Sequence, residues 1–251
     1  DCMGATMTLY RNEDIGLSRS RTCCSLEDVE DARSVACKLN MPYYVFNFSD
    51  EFRCQVMDRF ADAYEQGRTP NPCIDCNRYP KFRRLYDPAA LMGCDAIATG
   101  HYARIKQENG RFLLKKALDA SKDQSYVLYM LTQDQLVHTC FPMGTLRKTE
   151  AREIAGRQGF FNARKPDSQD ICFVPDGDYA AFIRRHTGKE DTPGDFVDED
   201  GHILGRHKGI THYTVGQRKG LNLSMGRPVF VVEIRPDTNE VVIGEGEDVF
   251  T

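Results

Sequence analysis

Two cysteine-bearing segments lie far apart in this chain, and their residue types point to sulfur chemistry. One reads Gly67-Arg68-Thr69-Pro70-Asn71-Pro72-Cys73-Ile74-Asp75-Cys76-Asn77, the other Asp167-Ser168-Gln169-Asp170-Ile171-Cys172-Phe173. Each cysteine stands among polar, loop-forming residues and not in an apolar run, where an inert thiol would be buried. A Cys-x-x-Cys pair can serve as a redox dithiol, half a zinc site, a pair of cluster ligands or an inert pair. A structural zinc wants a second pair at similar spacing, and the adjacent Cys23-Cys24 does not offer one. A thioredoxin-like pair sits at a helix start directly after a strand, which Pro70 and Pro72 fit poorly. The carboxylates beside Cys172 raise a thiol pKa, so nucleophilicity there needs a nearby cation or a helix N-terminus. Cys2, Cys23, Cys24, Cys37, Cys54, Cys94 and Cys140 read as core or incidental residues. His101, after an apolar stretch, could orient a phosphate, act in acid–base work or be a satisfied polar residue. Lys122-Asp123-Gln124-Ser125 could cap a helix or touch a ligand.

The elements that must position these groups alternate in type. A strand over 4–9, a helix over 26–39 opened by Ser25 and Asp28, and a strand over 43–48 come first. A helix over 50–66 stops at Gly67, and beyond the cysteine loop come a helix over 80–92 and a strand over 95–99. Strand–helix alternation predicts an α/β fold with a parallel sheet, whose ligands gather at the carboxyl ends of strands, where Gly100-His101 falls. Asn109-Gly110 marks a hairpin between 103–107 and 111–116, and helices follow over 124–138 and 147–158. Past residue 177 the texture changes to acidic and turn-rich, with Asp200-Gly201 as another hairpin and a β-rich run over 229–234. The reading is therefore two domains, 1–177 and a small α+β unit over 178–251.

At 251 residues, with 28% charged and 41% hydrophobic residues, the chain has the composition of a globular protein with a full core. No apolar run approaches the roughly 20 residues that span a bilayer. Ten cysteines without a secretory signal predict a reducing compartment, the cytoplasm, where disulfide staples are disfavoured. A net charge of −4 excludes a global polyanion-binding signature. Binding nucleic acid then depends on local patches: Arg78, Lys81, Arg83 and Arg84; Lys115 and Lys116; Arg206, His207, Lys208, Arg218 and Lys219.

Five ordered motifs carry a resemblance. They are Gly67-Arg68-Thr69-Pro70-Asn71-Pro72-x-x-x-Cys76-Asn77, Ala98-Thr99-Gly100-His101-Tyr102-Ala103-Arg104, Lys122-Asp123-Gln124-Ser125-Tyr126, Pro166-Asp167-Ser168-Gln169-Asp170-Ile171-Cys172-Phe173 and Thr214-Val215-Gly216-Gln217-Arg218-Lys219-Gly220-Leu221. Through them most of the chain is similar to the tRNA-specific 2-thiouridylases, the MnmA/TrmU family. The resemblance implies an adenine nucleotide alpha hydrolase-like (PP-loop, Rossmann-like) parallel sheet over 1–177 and a tRNA-binding domain over 178–251. It implies ATP-dependent sulfur transfer to the wobble uridine in the anticodon loop of tRNA, with Mg2+. ATP adenylates O2 of the uracil, and a cysteine persulfide then delivers sulfur to C2. Exchange through a mixed disulfide explains the need for two thiols. The sulfur comes from a persulfide donor such as a cysteine desulfurase or a sulfur relay protein, and no membrane is involved.

Carried over by position, Cys172 matches the persulfide-bearing cysteine and Cys76 its partner. Asn71, Pro72 and Cys73 match the segment touching the target base. Met7 and Gly100 match ATP-binding positions, and His101, Lys122, Asp123 and Gln124 match tRNA contacts. Three departures stand against the pattern. The Ser-Gly-Gly-x-Asp-Ser phosphate loop and its strand do not occur in the sequence, which predicts no transfer from ATP by this stretch alone. Most of the family's C-terminal β-barrel is absent. Cys73 occupies a position where some members carry Asp, so Cys73, Cys76 and Cys172 could instead hold an iron–sulfur cluster with one open iron. The rival readings are a small-molecule ATP pyrophosphatase of similar fold and a catalytically dead tRNA- or metal-binding module.

Overall fold

The computed structural model describes residues 1–16, 26–164 and 171–246. The chain forms two compact units, each assembled from separate stretches. The first takes Asp1–Arg11, Cys23–Gln55 and Pro72–Gln169; the second takes Asn12–Thr22, Val56–Asn71 and Asp170–Thr251. The sequence reading drew a single cut near residue 177, whereas the second unit also recruits the helix Asp58–Glu65.

In the first unit, strand β1 (Gly4–Thr8) and strand β2 (Tyr43–Asn47) pair in parallel, Gly4 opposite Tyr43 through Thr8 opposite Asn47. Parallel neighbours need a crossover, and the helix Leu26–Lys38 supplies it. Asn40 at φ 52° lets the chain leave this helix, with the Met41 N–H donating to Ala36 O at 2.9 Å. Ser25, the expected cap, lies outside the described residues. A second parallel pair joins β3 (Ile97–Ala98) to β6 (Thr139–Cys140). Between them in sequence, β4 (Ala103–Glu108) and β5 (Arg111–Lys116) form the expected hairpin. Asn109 and Gly110 both take positive φ, 49° and 76°, as a tight type I′ connection requires. Phe82, Ala103, Val127, Leu128, Leu131, Leu136 and Phe141 form its core.

Two helical expectations change. Residues 124–138 do not make one helix: a 3-10 turn over Ser125–Val127 is followed by a separate α-helix over Gln133–Val137. Thr132 opens that second helix with a full capping box to Gln135, a start signal hidden inside an apolar run. The cysteine loop is itself helical. An α-turn over Pro72–Cys76 continues as a π-helical stretch over Asn77–Arg84 and an α-helix over Tyr86–Leu91. Pro72 fits the first helical position because its missing N–H is not needed there. Pro80 interrupts the ladder, and the Leu85 N–H reaches back five residues to Pro80 O at 3.2 Å.

In the second unit, β7 (Gly194–Val197), β8 (Ile203–His207), β9 (Phe230–Arg235) and β10 (Glu240–Gly244) form a sheet in the order β8-β7-β10-β9. The β7–β10 pairing is parallel and the others antiparallel. Asp200-Gly201 turns the chain between β7 and β8 as expected, with Gly201 at φ 85°. Phe196, Tyr213, Val231, Val241 and Ile243 fill the core of this sheet. A separate aromatic cluster centres on Phe60, whose ring lies 5.3 Å from Phe173 and 6.0 Å from Phe182. The helix Tyr179–Thr187 presents Phe182; Asp178 caps its start and Gly188, at φ 71°, ends it. No helix among the described residues is long and apolar enough to cross a membrane.

Candidate functional site

Cys73 and Cys76 stand three residues apart on the helical segment that Pro72 opens, so they share one side of it. Cys73 is exposed, whereas Cys76 is only 9% exposed, which corrects the expectation that both lie in an open loop. Burial pushes the Cys76 thiol up; the Lys81 ammonium draws it down, and neighbouring Cys73 pushes it up further. Cys73 faces solvent, yet protein packed around its sulfur also raises its pKa, with Lys81 again opposing. Asn77 follows, 1% exposed, and its Nδ2 donates to Val127 O at 3.1 Å, while its Oδ1 has no hydrogen-bond partner among the described residues. Asn71 is exposed and grouped with the second unit, directly before Pro72.

Met7, Gly100, His101 and Gln124 converge on one cavity of about 500 Å³ in the first unit. Met7 comes from β1, opposite Phe46 of β2, and Gly100 follows β3. A Cβ at Gly100 would meet no atom within 4 Å, so the cavity stays open at that backbone. His101 is 8% exposed, with Nδ1 2.7 Å from Thr99 Oγ1 and its ring packed against those of Phe82 and Phe141, which also touch each other. Burial, aided by the Lys81 ammonium, lowers its pKa from the ordinary 6.5 to about 3, so the imidazole is neutral. Lys81 lines the same cavity. Sequence reasoning placed it only in a surface patch, because a lysine within a basic run gives no sign of facing inward.

The Lys122–Gln124 segment divides its work. Asp123 accepts from the Ala117 N–H at 2.7 Å and from Ser125 Oγ at 2.7 Å; these bonds outweigh burial and hold its carboxyl below the usual range. Gln124 Oε1 accepts from the Tyr102 N–H at 3.0 Å. Both side chains therefore fasten a loop to the hairpin's base. Lys122 is exposed and lines a groove of about 580 Å³ with Arg147 and Lys148, where Asp119 is the lone carboxylate among the described residues. Arg147 and Lys148 had not been singled out from the sequence.

Cys172 belongs to the second unit and sits partly buried in a turn closed by the Val174 N–H on Ile171 O at 2.9 Å. Phe173 and Val174, each 1% exposed, anchor that turn. The 166–170 part of its motif lies outside the described residues. The motif over 214–221 turns at Gly216 and Gly220, both at positive φ, and is pinned to β9 through the Gly216 N–H on Val231 O. Arg218 and Lys219 project from it to solvent. His207, read as part of a basic patch, is instead buried: its Nδ1 accepts from the Gly209 N–H, its Nε2 lies 3.0 Å from Asn239 O, and burial lowers its pKa.

No carboxylate lines the 500 Å³ cavity, so its described residues supply no ligand set for Mg2+. Neither unit alone supplies three motif thiolates, since Cys73 and Cys76 belong to one and Cys172 to the other. Among the described residues the group within metal-binding reach is Asp198, Asp200 and His202, which contains no cysteine. It is tied up in closing the β7–β8 turn, with the His202 N–H on Asp198 Oδ1 at 2.8 Å.

A parallel α/β unit with a cavity, together with a small, mostly antiparallel sheet unit, places the chain among two-domain α/β proteins. A family model described as "tRNA methyl transferase HUP domain" matches residues 1–176, and one described as "tRNA methyl transferase PRC-barrel domain" matches 180–245. The chain is 57% identical over 253 residues to a tRNA-specific 2-thiouridylase MnmA of Lachnoclostridium phytofermentans, covering 100% of this chain and 71% of that protein. It is 50% identical to the proteins of the same name from Clostridioides difficile and Clostridium perfringens, again with 100% of this chain and 70% of each relative covered. The chain belongs to the tRNA-specific 2-thiouridylase family.

Proposed function

We propose that this enzyme converts the wobble uridine of tRNA to 2-thiouridine, using ATP as co-substrate and a persulfide as sulfur source. The supporting observation is the convergence of Met7, Gly100, His101 and Gln124 on one cavity, with Lys81 linking that cavity electrostatically to Cys73 and Cys76. The family models speak of methyl transfer and the relatives of thiolation; the two cysteine segments favour thiolation. In the reaction, uracil O2 attacks the α-phosphorus of ATP and pyrophosphate leaves. The terminal sulfur of a Cys172 persulfide attacks C2, and the C2–O2 electron pair leaves with AMP. The Cys76 thiolate then attacks the Cys172 sulfur, releasing the thiolated base and leaving a disulfide that a cellular dithiol reduces. Because Cys76 is held as a thiol, it must lose its proton before this last displacement.

Within this scheme, Asn71, Pro72 and Cys73 would meet the base once it is splayed from the anticodon loop. Neutral His101 would orient polar groups in the cavity, not pair with a phosphate. Lys122, with Arg147 and Lys148, would hold the tRNA backbone, as would Arg218 and Lys219 in the 178–251 domain. The persulfide donor is a cysteine desulfurase or relay protein, and the setting is the cytoplasm. The test is Cys172→Ser and Cys76→Ser in the full-length protein, read by 2-thiouridine formation and tRNA affinity. Thiolation falls below detection in both while affinity stays within about twofold; a Cys172→Ser enzyme thiolating at the wild-type rate contradicts the assignment.

A further inference from the structure

The cavity that holds Met7 and Gly100 carries charge of one sign. Among the described residues that line it, Lys81 is the single formal cation and none is an aspartate or glutamate. His101 beside it adds no charge near neutral pH. Lys81 is half-buried, and among the described residues it forms no salt bridge. A partly desolvated ammonium without a counter-ion is costly and favours an incoming anion. A cavity of about 500 Å³ is within the size range of small-molecule sites. The helical segment that projects Lys81 into it is the direct continuation of the turn bearing Cys73 and Cys76.

We propose that Lys81 is a further catalytic residue of the thiolation, its ammonium binding the nucleotide phosphate in this cavity from the helix that also carries Cys73 and Cys76. The inference rests on the ATP-dependent reading of the site. When sulfur bonds to C2 and the C2–O2 bond breaks, the electron pair leaves on an oxygen of AMP. A cation fixed at that phosphate stabilises the departing charge without reorganising. The same ammonium lies close enough to Cys73 and Cys76 to favour their thiolates against burial. One side chain thus serves both the departing phosphate and the arriving sulfur chemistry.

Lys81→Met removes the charge at similar length, and Lys81→Arg keeps it. Binding of AMP and of adenosine to the full-length protein is measured by calorimetry, beside kcat and KM for ATP in thiolation. Loss of one charge-assisted hydrogen bond predicts AMP binding weakened about tenfold or more in Lys81→Met, with adenosine within about twofold and Lys81→Arg restoring most of the loss. AMP affinity unchanged in Lys81→Met overturns the proposal. An equal fall for adenosine overturns it too, because it makes Lys81 a packing residue. A wild-type protein that thiolates tRNA without ATP overturns this inference together with the ATP-dependent reading, and so is told apart from failure of Lys81 alone.

Discussion

The two units hold their motif cysteines in opposite ways. In the first, Cys76 is buried in a helix whose ladder is broken by Pro80 and whose neighbours include a half-satisfied Asn77 and an open cavity. In the second, Cys172 rides a short turn beside the fully buried Phe173 and Val174, and the Phe173 ring packs on Phe60 and Phe182. The first unit combines irregular hydrogen bonding with an open cavity; the second packs aromatic rings densely beside the turn that carries its cysteine. Under the proposed function, irregular backbone and an incompletely paired polar side chain fall beside the binding cavity, and aromatic density falls beside the turn that must hold still.

The sharpest way to break this contrast is Phe60→Ala. Emptying the centre of the aromatic cluster costs about 3–5 kcal/mol of stability, measured by urea denaturation, and thiolation falls because the Cys172 turn loses its anchor. AMP binding at the first unit's cavity survives under conditions where the variant remains folded; its loss there would contradict the division of labour. A second prediction concerns protons. His101 has its pKa depressed from 6.5 to about 3, so below pH 6.5 the unfolded chain binds a proton that the folded chain refuses. Stability is therefore fully present above pH 6.5 and falls on acidification by about 1.4 kcal/mol per pH unit from this group. Buried His207 in the second unit acts with the same sign. Urea midpoints between pH 7 and 5 should drop more steeply in wild type than in His101→Gln, and equal slopes would refute the neutral buried imidazole.

Smaller effects belong to the surface. Lys122→Glu weakens tRNA binding by several-fold and lessens its dependence on salt, as expected for a phosphate contact beside Arg147 and Lys148. An unchanged salt slope would place Lys122 away from the backbone. At pH 7.5, iodoacetamide should modify Cys76 more slowly than exposed Cys54, with peptide mass spectrometry as readout. Comparable rates would mean that Cys76 is neither buried nor pushed up.

Much of the first unit was legible because its signals are local. Asn109-Gly110 dictates a turn, and the 43–48 run is aromatic and β-branched. Gly159, at φ 66°, ends the helix Lys148–Arg157 where expected. What failed depended on competition between signals. Pro70 and Pro72 looked like loop formers, but Pro at the first helical position starts a helix, and the prolines could not reveal which role they took. The 124–138 apolar run hid the capping box at Thr132, and His207 was charge on paper but core in space. For the site, motif resemblance marked Met7, Gly100 and His101, whose convergence on one cavity only the fold displays. Lys81 escaped because a lysine in a basic run carries no sign of facing inward.

The most direct test is anaerobic thiolation of tRNA by the full-length protein, with 2-thiouridine, AMP and protein-bound iron quantified in the same sample. The account predicts 2-thiouridine formed with an equal amount of AMP by protein that contains no iron. Thiolation that requires stoichiometric iron, or ATP consumption with no 2-thiouridine, would contradict it.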